Sequence, residues 1–487
     1  MGSSRLAEIR ESRIEKLKKL RELGIDPYPA KPSQTPIPIS QARQSSDRTV
    51  FVVGRLWRWR EHGHVIFADL KDASGQIQIL FQEKNLNAKF DLLKLFDVGD
   101  FLGVSGQVIT TQAGEITVDV ADFELLAKSL RPLPDDWYGL KDVEERYRQR
   151  YVDLLLNDSV KNVFLTRTKI VKLFRDRLDR EGFIEVETPV LQPVYGGTVA
   201  KPFITHHNAL DTDFYLRIAD ELYLKRLIVA GFDKVYELSK DFRNEGFDRA
   251  HNPEFTMLEF YWAYADYEDL MNFTEKLISD IVKELHGGYK IEYQDHQLDF
   301  TPPWPRSTYQ EAMLKHSGID IEKADTEQKL KTQINSQNIK LDLSESAGYG
   351  DLVDRLYKHS TRPKLIGPLF LTDRPTEFVT LAKRRPNNPR VTASFQLLVA
   401  GEEMLTAYNE LNDPLDQATR WKESEKQGEA GHEEHETYDS DYIRALEYGM
   451  PPTAGWGLGI DRFIAILTDQ PSLKDTILFP TLKPKNE

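Results

Sequence analysis

Two proline-rich segments bound the stretch of this chain whose residue pattern most restricts its fold. The first carries five prolines between residues 27 and 38, and the second is Arg131-Pro-Leu-Pro. Proline fixes φ and has no amide hydrogen, so neither segment can continue a helix or a central strand. The region between them, residues 50–130, is therefore predicted to fold as a separate unit.

Short runs with the composition of β-strands fill that region, and turn residues such as Gly63 and Gly75 separate them. The predicted strands are Val50–Trp57, Val65–Lys71, Gln76–Phe81, Phe101–Thr110 and Glu115–Leu126. One helical segment, Asn85–Phe96, lies between the third and the fourth strand. This order is typical of the OB-fold, a small Greek-key barrel whose open face binds single-stranded nucleic acid.

Composition restricts the compartment and the chemistry. The 487 residues include no cysteine, which excludes disulfides, thiolate metal sites and a thiol nucleophile and favours a reducing cytoplasm. Neither a run of 18 apolar residues nor the apolar core of a secretory signal is present, so no membrane attachment is expected. The net charge of −14 argues against a protein that coats nucleic acid through its overall field, although local basic patches can still bind it.

A helix is predicted near the N-terminus. Apolar side chains recur at mostly three-residue steps from Leu6 to Leu23, charged side chains fill the other faces, and Gly24 ends the pattern. A helix docked by its leucine stripe is the simpler interpretation. The alternative is a basic arm that contacts a nucleic-acid backbone.

The rest of the chain mixes helical and strand patterns and predicts one large α/β or α+β domain. A helix over 159–181 runs into a strand at 182–187, which Pro189 follows. Two polar insertions, 325–348 and 422–441, interrupt the domain. The second is dense in acid, which is typical of a solvated face, and we assign no chemistry to either.

Two segments of this domain carry residues suited to chemistry. Turn residues from Gly246 to Pro253 separate two strand-like arms, which predicts a hairpin with a functional loop. Farther on, Gly455-Trp-Gly-Leu-Gly leads into a predicted helix whose first turn carries Asp461 and Arg462. Glycines at such a point let a neighbouring backbone or a ligand approach closely.

Together with Gly182-Phe-Ile-Glu-Val-Glu-Thr-Pro, the segments Phe242-Arg-Asn-Glu and Gly457-Leu-Gly-Ile-Asp-Arg resemble motifs 1, 2 and 3 of the class II aminoacyl-tRNA synthetases. A barrel on the N-terminal side is typical of the subgroup for aspartate, asparagine and lysine. Longer strings, among them Glu221-Leu-Tyr-Leu-Lys-Arg-Leu and His251-Asn-Pro-Glu-Phe-Thr-Met, resemble the lysyl enzymes. The implied fold is α+β: an OB-fold barrel followed by a class II catalytic domain, an antiparallel sheet flanked by helices.

The resemblance and the proline segments divide the chain into four parts. We expect an N-terminal helix and linker at 1–49, an anticodon-binding barrel at 50–130, a hinge at 131–150 and a catalytic domain with surface insertions at 151–487. Motif 1 of this class builds a two-fold interface that includes its proline, here Pro189. The resemblance therefore implies a homodimer.

The charge of the residues that line the pocket indicates which amino acid the protein would bind. A pocket for lysine must present acids to an ammonium, whereas a pocket for aspartate must present cations to a carboxylate. Such acids are expected to repel in the empty pocket and to raise at least one pKa, which lysine would relieve. The resemblance implies the lysine-binding residues Gly197, Glu221, Glu259, Tyr261, Thr406, Tyr408, Glu410 and Gly457, a set in which acids dominate.

Individual roles follow from the same resemblance. Glu221 would hold the α-amino group of lysine, and Gly197 would supply a backbone contact. Glu259 and Glu410 would hold the ε-ammonium with help from Tyr261. Tyr408 would pack on the aliphatic stem.

For ATP, the resemblance implies that two arginines carry catalysis. Arg243 would clamp the α-phosphate, while Arg462 and Phe255 would enclose the adenine ring, a task suited to the planar fork of arginine. The implied ATP-binding residues are Arg243, Glu245, His251, Asn252, Phe255, Glu403 and Arg462.

Three positions depart from the family pattern. Mg²⁺ needs carboxylates beside the triphosphate, and Glu403 is the candidate, but the second metal position holds Gln396, a neutral and weaker ligand. Thr406 occupies a position at which the family usually has an asparagine, and Ala250 occupies a position at which the family frequently has an arginine. These differences bear on the metal ions and on substrate affinity more than on the reaction type.

The barrel is expected to read the anticodon of tRNA(Lys). Phe67 and Gln78 match the family's pair that stacks on and hydrogen-bonds to the central uridine, and Glu115 is a candidate for discriminating a neighbouring base. Taken alone, Phe67 would more often belong to a core. L-lysine, ATP and tRNA(Lys) are thus the expected partners.

Three other functions share parts of this pattern. An aspartyl or asparaginyl relative has the same architecture but conflicts with the acidic pocket. A paralogue that lysylates a protein usually lacks the barrel. A non-catalytic RNA-binding or amino-acid-sensing protein would be expected to lose Arg243 or Arg462; both are present, and Gln396 is the feature that favours this alternative.

Overall fold

The computed structural model describes residues 3–134, 140, 142–246, 248–343, 348–429 and 436–485. Contacts divide the chain into two compact units, Met1–Lys141 and Asp142–Glu487. Each unit has a hydrophobic core of its own.

In its described part, the first unit contains five strands that close into a barrel with the order β1-β2-β3-β5-β4. The helices are α1 (Ser3–Glu22), α2 (Ile39–Ala42) and α3 (Glu83–Leu86), and a 3₁₀ helix spans Asn87–Leu95. The strands are β1 (Thr49–His62), β2 (Val65–Lys71), β3 (Gln76–Gln82), β4 (Phe101–Thr110) and β5 (Ile116–Ala127). The predicted OB-fold is confirmed, and most of the predicted helical segment is 3₁₀.

Strand β1 is longer than expected, because it does not end at Trp57. A bulge between Leu56 and Arg58 shifts the register, after which β1 continues to pair with β2 as far as His62 opposite Val65. A bulge bends a strand and increases its twist, which helps a short sheet close on itself. The sequence pattern weakens there because the end of β1 is exposed on both faces.

Helix α1 docks through the C-terminal half of its leucine stripe. Leu17 and Leu20 are buried, whereas Leu6 is exposed. The buried Arg13 donates hydrogen bonds to the backbone oxygens of Val98 and Arg131, at 3.0 and 2.9 Å. The helix ends before Gly24, whose φ of +74° only glycine adopts at little cost.

The second unit is built on a sheet of eight strands within the described residues, in the order β14-β15-β18-β19-β20-β11-β10-β6. The described strands of the second unit, inside and outside this sheet, are β6 (Ile184–Glu185), β7 (Leu191–Gln192), β8 (Ile204–His207), β9 (Thr212–Leu216), β10 (Lys234–Phe242), β11 (Glu254–Ala263), β12 (Lys290–Tyr293), β13 (His296–Asp299), β14 (Arg306–Thr308), β15 (Leu369–Thr372), β16 (Arg384–Arg385), β17 (Asn388–Thr392), β18 (Ser394–Val399), β19 (Glu402–Asn409) and β20 (Thr453–Gly459). The six strands from β15 to β10 pair antiparallel, and the two edge pairs are parallel.

Helices flank this sheet, as expected for the α+β fold. They are α4 (Val143–Arg148), α5 (Arg150–Leu156), α6 (Asp158–Arg180), α7 (Glu221–Val229), α8 (Tyr267–His286), α9 (Tyr309–Ser317), α10 (Glu327–Ser336), α11 (Tyr349–Ser360), α12 (Pro414–Glu429), α13 (Ser440–Glu447) and α14 (Ile460–Leu467), with 3₁₀ turns at Arg362–Lys364, Thr376–Phe378 and Leu473–Asp475. The amphipathic helix α8 packs with α6 and α14 into the main core.

Local patterns predicted the central elements well. The expected hairpin is β10 and β11, and the glycine-rich segment is β20 followed by α14. The strand predicted at 182–187 is reduced to the two residues of β6, because it lies at the sheet edge with one parallel neighbour. The expectation of a solvated face at 422–441 is wrong at Glu436 and Asp439, which are buried; residues 430–435 lie outside the described part.

Candidate active site

A cavity of roughly 460 Å³ lies over the middle strands of the large sheet. Gln396, Thr406, Gly457 and Glu259 stand directly opposite one another on β18, β19, β20 and β11. Tyr408, Gly455 and Tyr261 form a second, parallel row. Because opposed residues share one face of a sheet, these rows bring distant parts of the sequence onto one surface.

The glycines of β20 make room in the centre of that surface. A Cβ atom at Gly455 would collide with Oε1 of Glu410 and lie 2.6 Å from the ring of Tyr261. A Cβ atom at Gly457 would lie 3.4 Å from the methyl group of Met257. The expectation that these glycines permit a close approach is confirmed at Gly455, where any side chain would displace Glu410 or Tyr261.

Three glutamates meet at one end of the cavity. Glu221, at the start of α7, and Glu259, on β11, line it, whereas Glu410, the residue after β19, is not among the described lining residues. All three are buried, with exposed fractions of 5%, 8% and 2%. The hydroxyl of Tyr408 donates to Glu221 at 2.8 Å, and that of Tyr261 donates to Glu259 at 3.1 Å. Buried carboxylates require such partners or a cation.

A lysine of the chain itself supplies one cation. Nζ of Lys225, one helical turn after Glu221 on α7, lies 2.5 Å from Oε1 of Glu221 and forms an ion pair with Glu410. It also lies 5.9 and 5.8 Å from the ring centres of Tyr261 and Tyr408. Its i,i+4 spacing from Glu221 was a visible sequence signal, whereas its pairing with Glu410 depends on the tertiary fold.

Electrostatics confirms that carboxylates crowd this end of the cavity. Burial, together with the neighbouring Asp241 and Glu221, raises the pKa of Glu259 to about 8. Burial also raises the pKa of Glu410, although Lys225 opposes the shift. Burial lowers the pKa of Lys225, but Glu221 and Glu410 outweigh it, so this pKa is well above its ordinary value. The ammonium is therefore charged at neutral pH.

The other end of the cavity carries two arginines and an aromatic ring. The guanidinium of Arg243 lies 4.9 Å from the ring centre of Phe255. Arg462, in the first turn of α14, donates to the backbone oxygen of Glu403. These two arginines line the cavity together with Phe255 and Glu403. Planar guanidinium groups here suit phosphate oxygens and aromatic bases.

A buried ion pair fixes the start of α14. Asp461 accepts from Arg167 of α6 at 2.5 Å and from the backbone amide of Thr256 at 2.8 Å. Arg167 also donates to the hydroxyl of Thr256. These contacts join α14 to β11 and thereby set the position of Arg462, the residue after Asp461.

The loop between β10 and β11 borders the same end. Asn252 is buried and donates to the backbone oxygen of Glu254 at 2.6 Å, and Nδ1 of His251 lies 3.1 Å from Asp248. Glu245 is exposed and lines the cavity together with His251 and Asn252. The nucleotide candidates of the sequence analysis therefore share one cavity with the lysine candidates other than Glu410. Phe247 lies outside the described residues.

The two metal candidates lie near Thr406. Oε1 of Glu403 accepts a hydrogen bond from Thr406 at 2.6 Å, and Gln396 stands opposite Thr406 on β18. Gln396 is buried, and its amide oxygen has no partner among the described residues. Glu403 is part of the cavity lining, and Gln396 is not among the described lining residues.

Comparison with known proteins assigns the family. Residues 142–483 match the model for tRNA synthetases class II (D, K and N), and residues 50–132 match the OB-fold nucleic acid binding domain. Lysine–tRNA ligases of Pelotomaculum thermopropionicum and Carboxydothermus hydrogenoformans are 47% and 46% identical, over 99% and 100% of this chain and 96% and 100% of their own. That of Dehalococcoides mccartyi is 45% identical over 98% of this chain and 97% of its own. The chain belongs to the class II tRNA synthetases of the lysine–tRNA ligase family.

The barrel of this synthetase places Phe67 on its outer surface. Ile66 and Ala68 on either side are buried, whereas Phe67 is only half-buried and has His62 beside it. Along β2 successive side chains point to opposite faces, so Phe67 lies outside the core. Gln78 on β3 stands diagonally across from it and accepts a hydrogen bond from Thr117 at 2.9 Å.

Charged residues surround these two side chains. Arg58 and Arg60 of β1 are exposed and lie 3.8 and 3.7 Å from the carboxylate of Asp69. Arg60 stands directly opposite Phe67. Glu115 is exposed and lies 3.7 Å from Arg43. The barrel of this synthetase thus presents an aromatic ring, an amide and cations on one surface.

Sequence reasoning missed several residues in the cavity of this synthetase or next to it. Lys225, Arg374 and Glu436 are examples, and Arg374 and Glu436 line the cavity. Glu436 accepts a hydrogen bond from the indole of Trp421 at 2.6 Å. This glutamate of the acidic insertion is therefore a buried residue of the cavity wall. Composition could not reveal this, because only the packing of α12 distinguishes Glu436 from its solvated neighbours. Among the described helices of this synthetase, none is both long and apolar enough to cross a membrane.

Proposed function

We propose that this synthetase attaches L-lysine to tRNA(Lys) by way of a lysyl-adenylate formed from ATP, in the cytoplasm. The observation that carries the proposal is the environment of the Lys225 ammonium. Two glutamates and two tyrosine rings surround that ammonium, and three of these four residues, Glu221, Tyr261 and Tyr408, line the cavity that also holds Arg243 and Arg462. A cavity end that is walled by buried acids favours a cationic side chain over an anionic one.

The distribution of charge within the cavity supports lysine over aspartate. Lys225 is engaged by Glu221 and Glu410, which leaves Glu259 without an ion pair among the described residues. An incoming ε-ammonium finds Glu259 and the hydroxyl of Tyr261 beside it. An aspartate side chain would add a third carboxylate charge beside Glu221 and Glu410, which share one cation, and like charges at a desolvated contact cost several kcal/mol, an order-of-magnitude figure.

In the first step, the carboxylate of lysine attacks the α-phosphorus of ATP and pyrophosphate leaves. This step needs positioning and neutralisation of charge more than proton abstraction, so no general base is assigned. Arg243 and Arg462 hold the phosphate oxygens and the base, with Phe255 as a stacking partner. His251 and Asn252 complete the ATP site in this proposal, and Glu245 contacts the adenine.

Mg²⁺ fits the oxygen donors near the phosphate end. Glu403 supplies a carboxylate at the cavity wall, and the unpartnered amide oxygen of the buried Gln396 supplies a neutral second donor. When bound, the ion neutralises triphosphate charge. Thr406 holds Glu403 in place through the hydrogen bond to its Oε1.

In the second step, the 3′-hydroxyl of the terminal adenosine of tRNA attacks the carbonyl of the adenylate, and AMP leaves. The barrel at 50–130 reads the anticodon through Phe67, Gln78 and Glu115, in keeping with stacking and base-edge recognition of unpaired RNA. The hinge at 131–150 and the segment at 1–49 connect and support it, and residues 151–487 carry both chemical steps.

We further propose that the synthetase is a homodimer. Ile184, Val190 and Leu191, around Pro189 in motif 1, expose 50%, 38% and 48% of their surfaces. Apolar side chains exposed next to one another are typical of protein–protein contacts. An isologous two-fold contact through this segment would cover them.

The decisive experiment is ATP–pyrophosphate exchange with each of the twenty amino acids. We expect exchange with lysine and little with any other. Exchange with aspartate would contradict the pocket assignment, and silence with all twenty would favour a non-catalytic protein. Transfer of radiolabelled lysine to tRNA(Lys), with tRNA(Asp) as the control, tests the second step.

A further inference from the structure

Glu436 is a buried carboxylate of the cavity wall to which the proposed function gives no role. It lies in the connection between α12 and α13 and exposes 5% of its surface. It lines the cavity together with Glu221 and Glu259. A buried ionisable group in a cleft is a candidate for a role in substrate binding.

The hydrogen-bond partners of the Glu436 carboxylate are neutral groups. Oε1 accepts a hydrogen bond from the hydroxyl of Thr380 at 2.5 Å, and Oε2 accepts one from the indole N–H of Trp421 at 2.6 Å. The backbone amide of Glu436 donates to the hydroxyl of Ser424 at 2.9 Å. Donors on both oxygens favour the ionised form of a carboxyl group. The described residues thus stabilise a carboxylate here through neutral donors.

The packing of Trp421 places Glu436 at the lysine-binding end of the cavity. Trp421 is 1% exposed and belongs to the same buried apolar cluster as Tyr261, and Tyr408 packs against that cluster. Both tyrosines belong to the lysine-binding set. Because the indole of Trp421 holds Glu436 by a hydrogen bond, the carboxylate borders the same part of the cavity.

The charged groups that act on Glu436 belong to that end as well. Burial raises the pKa of Glu436, its two hydrogen bonds lower it, and Glu221 raises it against an opposing effect of Lys225. The connection that carries Glu436 is also tied to the helix of this pair, because Asp439 accepts a hydrogen bond from Arg226 of α7 at 2.7 Å. Glu436 is therefore part of the electrostatic surroundings of the lysine-binding glutamates.

We infer that Glu436 is a specificity-determining residue, whose negative charge strengthens the binding of a substrate that carries a terminal ammonium. The inference deepens the proposed function and rests on it, because it requires lysine at this end of the cavity. Glu221 and Glu410 share the ammonium of Lys225, so a further carboxylate increases the negative potential that the substrate ammonium meets. Solvent screens a buried charge weakly, and Glu436 therefore acts without touching the substrate.

The test is ATP–pyrophosphate exchange by the full-length protein, with KM measured separately for lysine and for ATP. Glu436→Gln removes the charge at nearly constant size, and we expect the KM for lysine to rise about fivefold or more while the KM for ATP stays unchanged. Glu423→Gln is the matched control, because it removes an exposed carboxylate from α12 and should change neither KM by more than about twofold. Calorimetric titration with lysine measures the affinity directly.

A second pair of variants separates charge from shape. Glu436→Asp and Glu436→Asn have nearly the same size and differ in charge, so the charged member should bind lysine more tightly. This pair also carries the test if Glu436→Gln fails to fold. Equal lysine affinity within a folded pair would overturn the inference. An equal rise in the KM for lysine and for ATP would do the same, since Glu436 would then act through the shape of the cavity.

The wild type distinguishes this inference from the proposed function. Exchange with lysine in the wild type, together with an unchanged KM in Glu436→Gln, would refute the inference alone. Absence of exchange with lysine in the wild type would refute the proposed function, and the inference with it.

Discussion

The ammonium of Lys225 lies 2.5 Å from Oε1 of Glu221, which in turn accepts a hydrogen bond from the hydroxyl of Tyr408 at 2.8 Å. An internal lysine thus neutralises part of the acidic end of the cavity before any substrate enters. The remaining glutamate of the three is Glu259, which lines the cavity and whose pKa burial and the neighbouring Asp241 and Glu221 raise to about 8. In the proposed function, selection of lysine therefore depends on the balance between one internal cation and several buried acids, and not only on the number of glutamates.

Replacing Lys225 with methionine should destabilise the fold strongly. The substitution keeps the aliphatic stem but leaves Glu221 and Glu410 buried without their cation, which costs about 3–5 kcal/mol. Urea denaturation measures the loss. Lys358→Met is the matched control, because Lys358 forms an exposed i,i+4 pair with Asp354 at 2.6 Å and should cost less than about 1 kcal/mol. Equal losses would mean that the buried pair contributes no more than a surface pair.

Glu410→Gln should weaken lysine binding by roughly 2–5 kcal/mol, because a charged hydrogen-bond partner of a desolvated ammonium is lost. The KM for lysine in pyrophosphate exchange, together with direct titration, measures it. Glu402→Gln, at the start of the strand that Glu410 follows, is the control and should leave the affinity unchanged, since Glu410 and not Glu402 shares the Lys225 ammonium with Glu221. Unchanged affinity in Glu410→Gln would place Glu410 outside the lysine site.

The titration of Glu259 should make stability fall as the pH rises. With its folded pKa raised to about 8 and its ordinary value at 4.5, the folded protein keeps a proton that the unfolded chain releases between these values. The free energy of unfolding should therefore decrease from about pH 5 to pH 8. The raised pKa of Asp241 adds to this decrease in the same direction.

Glu259→Gln isolates the contribution of that residue, since the amide does not titrate. The variant should show a shallower decline of the unfolding free energy across this pH range. Parallel curves for wild type and variant would mean that Glu259 is already ionised in the folded protein at neutral pH.

Phe67→Ala should slow the charging of tRNA without affecting pyrophosphate exchange. Loss of stacking on one base costs about 1–3 kcal/mol, which corresponds to roughly a 5- to 150-fold drop in kcat/KM for tRNA. Phe90→Ala removes a half-buried ring elsewhere on the barrel and should leave charging intact. A parallel fall in exchange and charging would show that Phe67 acts through the catalytic unit or through stability.

Gln396→Glu should lower the Mg²⁺ concentration needed for half-maximal exchange by about tenfold, because a second carboxylate joins Glu403 beside the phosphates. Gln396→Met keeps the volume, removes the oxygen and should raise that concentration. Identical Mg²⁺ profiles for the three proteins would exclude position 396 from the metal site.

Much of the fold followed from local pattern. The five barrel strands, helix α6, the β10–β11 hairpin and the β20–α14 junction were predictable, because hydrophobic period and turn residues act over a few positions. Element ends were less predictable. Strand β1 extends past Trp57 through a bulge, and β6 shrinks to two residues at a sheet edge, and both outcomes depend on which partner strand is available.

The sequence by itself determined which residues can carry the chemistry: the glutamates, the arginines and the glycines of the three motifs, whose spacing identifies the family. Only the tertiary structure decided their electrostatic partners. It placed Lys225 between Glu221 and Glu410, turned Glu436 from an apparent surface acid into a cavity wall, and confined Asp220 with Asp241 and Glu259. The reason is that ion pairing and desolvation depend on distance in space, which strand register and helix packing set across hundreds of residues.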